Sequence, residues 1–170
     1  MRSLNHYLSL TTHGNPGVAA AAAFEAAKMM YNEKYNEVIV QAMLRKSGEL
    51  GDVNAQRWLG FIGLTNKLID PASTTSNIIY YKDASVAYQW FEKAARKGDL
   101  ISTFAIYKCL QHGIGVAKNA EKAESILDTI ADKLSLDVLP FMFFFDTYHE
   151  PKTTAHTIEY QTTLRNLLAS

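Results

Sequence analysis

The sequence is poor in cysteine and proline, and it has no excess charge of either sign. Its one cysteine, Cys109, cannot form a disulfide within the chain, which is typical of a protein from a reducing cytoplasm. Its 17 basic and 17 acidic side chains cancel and are spread over both halves of the chain. Because nucleic acids are bound mainly through clustered lysine and arginine, we expect a cytoplasmic protein that does not bind nucleic acid.

Long apolar runs are lacking as well. The longest, over 138–145, is well short of the ~20 residues needed to cross a bilayer. The small-residue run over 18–23 follows His6, His13 and a turn cluster over 11–17, which interrupt the apolar core that a secretory signal requires. We therefore expect no membrane span and no cleaved leader. With 48% hydrophobic residues over 170 positions, the chain can bury one core as a single domain.

The sequence does contain helical periodicity, interrupted at regular places. Strong helix formers fill 17–31, and a second helical stretch from residue 38 is expected to stop at Gly48 and Gly51. Asp52 is a suitable N-cap for the next helix. The same signals predict further helices over 84–97, 102–111, 123–131, 139–149 and 153–168, and no strand.

The helical segments repeat along the chain. Residues 87–95 align with 123–131 at an offset of 36, whereas Gly51-Asp52 aligns with Gly98-Asp99 at an offset of 47. The first unit therefore carries about 11 extra residues, which fall in an enlarged loop over 65–82. Loops of this length are usually functional or disordered, and Tyr80 and Tyr81 are favourable contact residues. The alternative is that 78–81 packs back on the helices or extends the next one.

The repeats carry specific short motifs. Ala-Gln-Arg-Trp-Leu-Gly stands at 55–60, Tyr-Gln-Trp-Phe-Glu-Lys-Ala-Ala-Arg-Lys-Gly at 88–98, and Gly-Ile-Gly-Val followed by Glu-Lys-Ala at 113–123. On these motifs the chain resembles the Sel1-like repeats, relatives of the tetratricopeptide helical hairpins. It departs from the family pattern at Tyr107, where a glycine is usual, and at Leu134, where the closing glycine is missing.

The resemblance implies an all-α fold, a short right-handed α-solenoid of about four helical hairpins. We expect one domain over 1–170, with clear repeats over 51–134 and capping hairpins over 15–50 and 135–170. In such repeats, Ala and Gly let helices approach closely, and stacked neighbours bury what one hairpin cannot bury alone. Large residues such as Trp90 and Phe91 are expected to lie between adjacent hairpins.

Candidate catalytic and metal-binding groups are few. No pair of His or Cys has the spacing of a zinc site, and Gly113-Ile114-Gly115 lacks the strand, the third glycine and the Lys-Ser/Thr partner of a phosphate loop. Cys109 is expected to act as a small buried hydrophobe, and Asp146 and His149 as a surface pair. We therefore expect no metal, no cofactor and no catalytic residue.

The resemblance implies adaptor or regulatory roles through protein binding, and short bacterial members also fit the role of an inhibitor. Our leading interpretation is a non-enzymatic protein-binding module, most concretely a bacterial immunity protein that neutralises a cognate toxin or effector. A domain of 170 residues without a second module resembles a dedicated stoichiometric binder more than a large scaffold. The alternatives are an adaptor or regulatory scaffold, and a small hydrolase that uses Cys109 or a His/Asp site.

The partner is expected to bind the concave side of the solenoid, which the first helices of successive hairpins line. Candidates are side chains of these helices that are not used for packing, the tyrosines of the enlarged loop, and the end of the Phe-rich helix. They are Gln56, Arg57, Tyr80, Tyr81, Tyr107, Gln111 and Tyr148. The aromatic run over 141–145 is expected to form a helix buried against the last hairpin; the alternative is a lipid or ligand site. Because one neighbour cannot cover all sides of that helix, a leftover apolar strip would suit a partner or a homodimer through the C-terminal hairpin.

Overall fold

A computed structural model describes residues 3–65 and 83–134 of the chain. These ranges form seven α-helices and one short 3-10 helix, and they contain no strand. The helices are α1 (Leu4–Leu10), α2 (Pro16–Asn32), α3 (Glu37–Glu49), α4 (Val53–Thr65), α5 (Ala84–Ala95), α6 (Leu100–His112) and α7 (Ala120–Ile130), with the 3-10 helix at Ala131–Lys133. None of these helices is long and apolar enough to span a membrane.

Each helix packs on the next one in chain order, which makes three hairpins: α2 with α3, α4 with α5, and α6 with α7. This confirms the predicted all-α, solenoid type of fold. The predicted helices over 139–149 and 153–168 lie outside the described residues, as do positions 66–82 of the predicted enlarged loop; position 65 is the last residue of α4. The short helix α1 was not predicted. It is only 7 residues long, is capped by Ser3, and packs Leu4 and Leu8 against the first hairpin.

Short polar side chains fix where most helices begin. An Asn or Asp oxygen accepts a hydrogen bond from a backbone N–H of the first helical turn, and so satisfies a group that has no partner inside the helix. The residues that act in this way are Asn15, Asn36, Asp52, Asp83, Asp99 and Asn119. The start predicted at Asp52 is therefore confirmed.

The prediction that Gly48 ends the second helix of the first hairpin is wrong, because α3 continues through Gly48 to Glu49. Gly48 is needed for packing instead. A Cβ at this position would lie 2.8 Å from the Leu59 side chain and 3.2 Å from the Trp90 ring. The actual end of the helix is marked by Gly51, whose φ of 103° is readily adopted only by glycine.

The core consists of two clusters that meet at α4. Trp58 and Leu59 of this helix join the cluster formed with α2 and α3, while Phe61 and Leu64 join the cluster formed with α5, α6 and α7. Helix α4 is therefore buried on nearly all sides. Because hydrophobic burial is the main driving force of folding, the two core clusters that α4 joins stabilise all three hairpins together.

The 36-residue period extends to the first hairpin. In α2, positions 19–24 are buried except for Ala21, and in α4, positions 55–60 are buried except for Arg57, which is half-buried. Ala21 and Arg57 differ by the same 36 residues. The burial pattern therefore places α2 as the counterpart of α4 in the preceding repeat.

Candidate protein-binding surface

Arg57 of α4 binds Asp99, the residue that caps α6. Its Nε donates to Asp99 Oδ2 at 3.0 Å, and its Nη2 donates to the other carboxylate oxygen. Asp99 Oδ2 also accepts from the backbone N–H of Ser102 at 2.9 Å. The two side chains are only 16% and 7% exposed. A two-point contact between guanidinium and carboxylate is geometrically specific, so it fixes the second hairpin relative to the third.

Gln56 connects the first and second hairpins. The side chain is 3% exposed, and its Nε2 donates to the carbonyl oxygen of Gly48 in α3 at 2.8 Å. Ser47 makes a similar connection inside the first hairpin, where its hydroxyl donates to Ala20 O at 2.7 Å. Gln56 Oε1 and Ser102 Oγ are buried without a hydrogen-bond partner. Buried amides and hydroxyls of this kind are sites where an ordered water completes the hydrogen bonding.

Tyr107 and Gln111 lie on α6, one turn apart. Tyr107 is 7% exposed and belongs to the second core cluster, with its ring centroid 5.6 Å from that of Phe104. The ammonium of Lys108 lies 5.6 Å from the centroid of the Tyr107 ring. Gln111 is half-buried, and its Oε1 is among the buried oxygens without a partner.

The expectation that these first-helix side chains are not used for packing is wrong for Gln56 and Tyr107. Both are buried, because α4 and α6 each have helices packed on both sides. Arg57 is held by Asp99, so only part of it faces solvent. Whether these residues and Gln111 contact a partner stays a prediction. Tyr80, Tyr81, Tyr148 and the aromatic run over 141–145 lie outside the described residues.

The described part of the chain offers neither an accessible nucleophilic thiol nor a cluster of metal-ligating side chains. Cys109 is fully buried, and burial raises the pKa of its thiol to about 12. A thiol with such a pKa stays protonated at neutral pH and is a poor nucleophile. No group of three or more His, Cys, Asp and Glu residues within 3–65 and 83–134 could hold a metal ion. Asp146 and His149 lie outside those ranges.

Trp90 and Phe91 have different positions. Trp90 of α5 is half-buried and packs against the first core cluster, with its ring against Gly48 of α3, so it lies between two hairpins as predicted. Phe91 is fully buried and meets the Phe61 ring at a centroid distance of 5.0 Å. Phe61 is in α4, so this contact of Phe91 lies inside its own hairpin.

Exposed charge lies on the second helices of the hairpins, which sequence reasoning did not single out. On α3, on α5 and directly after α5 the exposed basic residues are Arg45, Lys93, Arg96 and Lys97. The signal was present in the sequence, because positions 93, 96 and 97 are three and four residues apart and so share one helix face.

No protein-family model matches the chain, and no curated protein matches it. Among solved structures, the fold is similar to that of a Sel1 repeat protein from Oxalobacter formigenes, with 23% identity, a TM-score of 0.64, and coverage of 81% of this chain and 95% of that chain. Cysteine-rich protein B of Helicobacter pylori is similar over 81% of this chain and 93% of its own, with 19% identity and a TM-score of 0.53. A protective antigen of uropathogenic Escherichia coli with an SLR fold matches 96% of this chain but only 37% of its own length, with 13% identity and a TM-score of 0.56.

Proposed function

On the premise that the chain has the Sel1-like repeat fold, we propose that it is a non-enzymatic protein-binding module of the bacterial cytoplasm. In its most concrete form the proposal is an immunity protein, which binds a cognate toxin or effector and holds it inactive in a stoichiometric complex. The family resemblance favours protein binding in general. The toxin as partner is the finer part of the proposal.

The proposal rests on the observation that polar and ionisable side chains of this chain hold its helices together. Arg57, Asp99, Gln56 and Ser47 all form contacts that join one helix to another. These contacts hold the hairpins in a preformed stack. A rigid surface loses less conformational entropy on binding a partner than a mobile surface does. An inhibitor needs such a surface and needs no reactive group.

The burial of Cys109 supports a non-enzymatic role over the role of a hydrolase that uses this thiol. A nucleophilic cysteine is partly accessible and has a lowered pKa, whereas Cys109 is fully buried and the pKa of its thiol is raised to about 12. Cys109 therefore has the properties of a packing residue.

The experiment is a titration against a toxin-like protein encoded next to this chain. Purified toxin is assayed with increasing amounts of the chain, and the mass of the complex is measured by light scattering. An immunity protein abolishes toxin activity at a fixed ratio, and the two proteins co-elute. The Cys109→Ser variant is expected to inhibit as well as the wild type.

Other results would identify other functions. An adaptor would bind the neighbouring protein without changing its activity. A hydrolase would protect at far less than a stoichiometric amount and would lose protection in Cys109→Ser. If the chain neither binds nor inhibits the neighbouring protein, the immunity role is wrong.

A further inference from the structure

Side chains from the C-terminal part of α5 and from just after it contact the C-terminal end of α3 and the turn that follows it. The Trp90 ring packs on Gly48. Lys97 Nζ donates to the carbonyl oxygen of Gly51, directly after α3. Lys93 Nζ lies 4.2 Å from the centroid of the Trp90 ring. The last turn of α5 and the residues directly after it therefore bring two ammonium groups, of Lys93 and Lys97, to the surface formed with α3.

This surface combines positive charge with apolar area. We call it the basic face and define it by Arg45, Leu50, Trp90, Lys93, Arg96 and Lys97. All four cationic side chains are exposed, Leu50 is 37% exposed, and Trp90 is half-buried. Among the charged contacts, Arg96 is held only loosely, since its Nη2 is 3.9 Å from Glu92 Oε2 and its side chain is 77% exposed.

Basic groups outnumber acidic ones on this face. Glu49, Glu92 and Asp52 are the acidic residues beside it, the last because the charge of Lys97 acts on its carboxyl, so four basic groups face three acidic ones. On α7 of the next hairpin the exposed charges are Glu121, Lys122, Glu124 and Asp128, in which acidic groups outnumber basic ones. A chain with no net charge thus has a basic surface at the ends of α3 and α5 and an excess of acidic groups on the exposed positions of α7.

We propose that the basic face binds an acidic segment of a partner protein, with an apolar side chain of that segment packed on Trp90 and Leu50. This inference rests on the proposed protein-binding function and assigns its surface and the chemistry of its partner. Trp and Arg are the residues most often found where binding energy is concentrated. Complementary charge around such a centre speeds association and rejects basic partners.

The same observations favour a protein segment over a nucleic acid. A duplex or an extended single strand is bound through a row of basic groups that neutralise its phosphates. Glu49 and Glu92 interrupt the positive surface here, so the basic face lacks the continuous track that a phosphate backbone needs. A short acidic segment can place its charges between these groups.

The test uses the full chain and a fluorescein-labelled peptide of 12 residues, made of Asp and Glu with a central Phe and Leu, as the probe. Fluorescence anisotropy gives its affinity, and two-dimensional NMR locates it. We expect saturable binding that weakens with added salt, and chemical-shift changes concentrated in residues 45–50 and 90–97. A probe in which Ser replaces Phe and Leu is expected to bind more weakly.

Two variants with the same net charge test whether binding of the acidic probe depends on the basic face. Arg45→Glu/Lys93→Glu/Arg96→Glu reverses the basic face, and Lys34→Glu/Lys118→Glu/Lys122→Glu reverses three exposed lysines elsewhere. We expect the first to bind the acidic probe at least about tenfold more weakly and the second to bind within about threefold of the wild type. Circular dichroism melts establish that both remain folded.

Several results would overturn the proposal: no binding of the acidic probe by the wild type, equal losses in the two variants, shift changes outside the basic face, or tighter binding of a single-stranded DNA of the same charge. The proposed function is judged separately. If the neighbouring toxin is inhibited equally by the wild type and by the basic-face variant, the function stands and this surface assignment is wrong.

Discussion

Gly60 and Phe91 face each other across the hairpin of α4 and α5, and the aromatic ring occupies the space that a side chain at position 60 would need. A Cβ on Gly60 would lie 2.5 Å from the nearest ring carbon. At the equivalent positions of the next hairpin, the sequence has a larger residue on the first helix and a smaller one on the second. Tyr107 stands 47 positions after Gly60 and is buried in the second core cluster, and Leu127 stands 36 positions after Phe91 and packs against that cluster.

Gly60→Ala is expected to destabilise the chain. The added methyl group overlaps the Phe91 ring, which is fully buried and cannot move away without disturbing Phe61. Overpacking of this kind costs roughly 1 to 3 kcal/mol. Urea denaturation measures the loss. Gly14→Ala is the control, since a Cβ there meets nothing within 4 Å, and its stability should equal that of the parent.

Arg57→Ala is expected to weaken the junction between the second and third hairpins. The Asp99 side chain is only 7% exposed beside Arg57, and the change removes its guanidinium partner. Breaking a buried pair costs roughly 3 to 5 kcal/mol, and the partial exposure of Arg57 places this one near the lower end. The control is Arg96→Ala, which removes an exposed arginine that is 3.9 Å from its carboxylate. Equal unfolding free energies for the two variants would contradict the structural role of Arg57.

The pH dependence of stability should contain a contribution from Asp52. Burial raises the pKa of this carboxyl, and the charge of Glu25 adds to the shift, against hydrogen bonds from Ala55 and Asn54 and the charge of Lys97. The folded state then binds the proton more tightly than the unfolded state, so this contribution to stability decreases as pH rises from 3.8 through the folded-state pKa.

Asp52→Asn is expected to remove that decrease. Asn caps a helix about as well as Asp, so above this pH window the variant should be at least as stable as the parent. Urea denaturation from pH 3.5 to pH 7 compares the two proteins. A larger gain in stability with rising pH for the wild type than for Asp52→Asn would show that the sign of the shift is wrong.

Ala21→Arg is expected to stabilise the contact between the first and second hairpins. Ala21 is the counterpart of Arg57, and Asp52 is the counterpart of Asp99, but Asp52 has no arginine beside it from α2. An arginine at this exposed position can approach the Asp52 carboxylate, and such partly exposed pairs contribute up to about 1 kcal/mol. Ala21→Gln is the control for side-chain size. The gain should disappear when Asp52→Asn is present, and its persistence there would show that the pair does not form.

Cys109 is expected to be inert in the folded protein. Its burial and the raised pKa of its thiol predict no labelling by a maleimide or an aromatic disulfide at pH 8 in native conditions, and full labelling in urea. Cys109→Ser/Ser125→Cys is the matched control, since position 125 is exposed and its thiol should react at once. Rapid labelling of the native wild type would reopen a nucleophilic role for Cys109.

Much of the helical layout could be predicted from the sequence because its signals are local. Asp52 caps the helix that follows it through a bond to Ala55 N at 2.8 Å, only three residues away. Gly51 ends the preceding helix through its own backbone conformation. The 36-residue period likewise reflects positions that every hairpin uses in the same way. The helix α1 was missed because a helix of 7 residues has too few turns to show periodicity.

The sequence alone determined that this chain repeats helical hairpins, where most of its described helices begin, and that no residue pattern in it has the spacing of a metal site. Only the tertiary structure decided the role of each side chain. Gly48 looked like a helix stop and is instead the position on which Trp90 packs. Gln56 and Tyr107 looked like groove residues and are buried. The reason is that burial depends on which neighbours are packed against a residue, often about 40 positions away as for Arg57 and Asp99, and no local pattern encodes that contact.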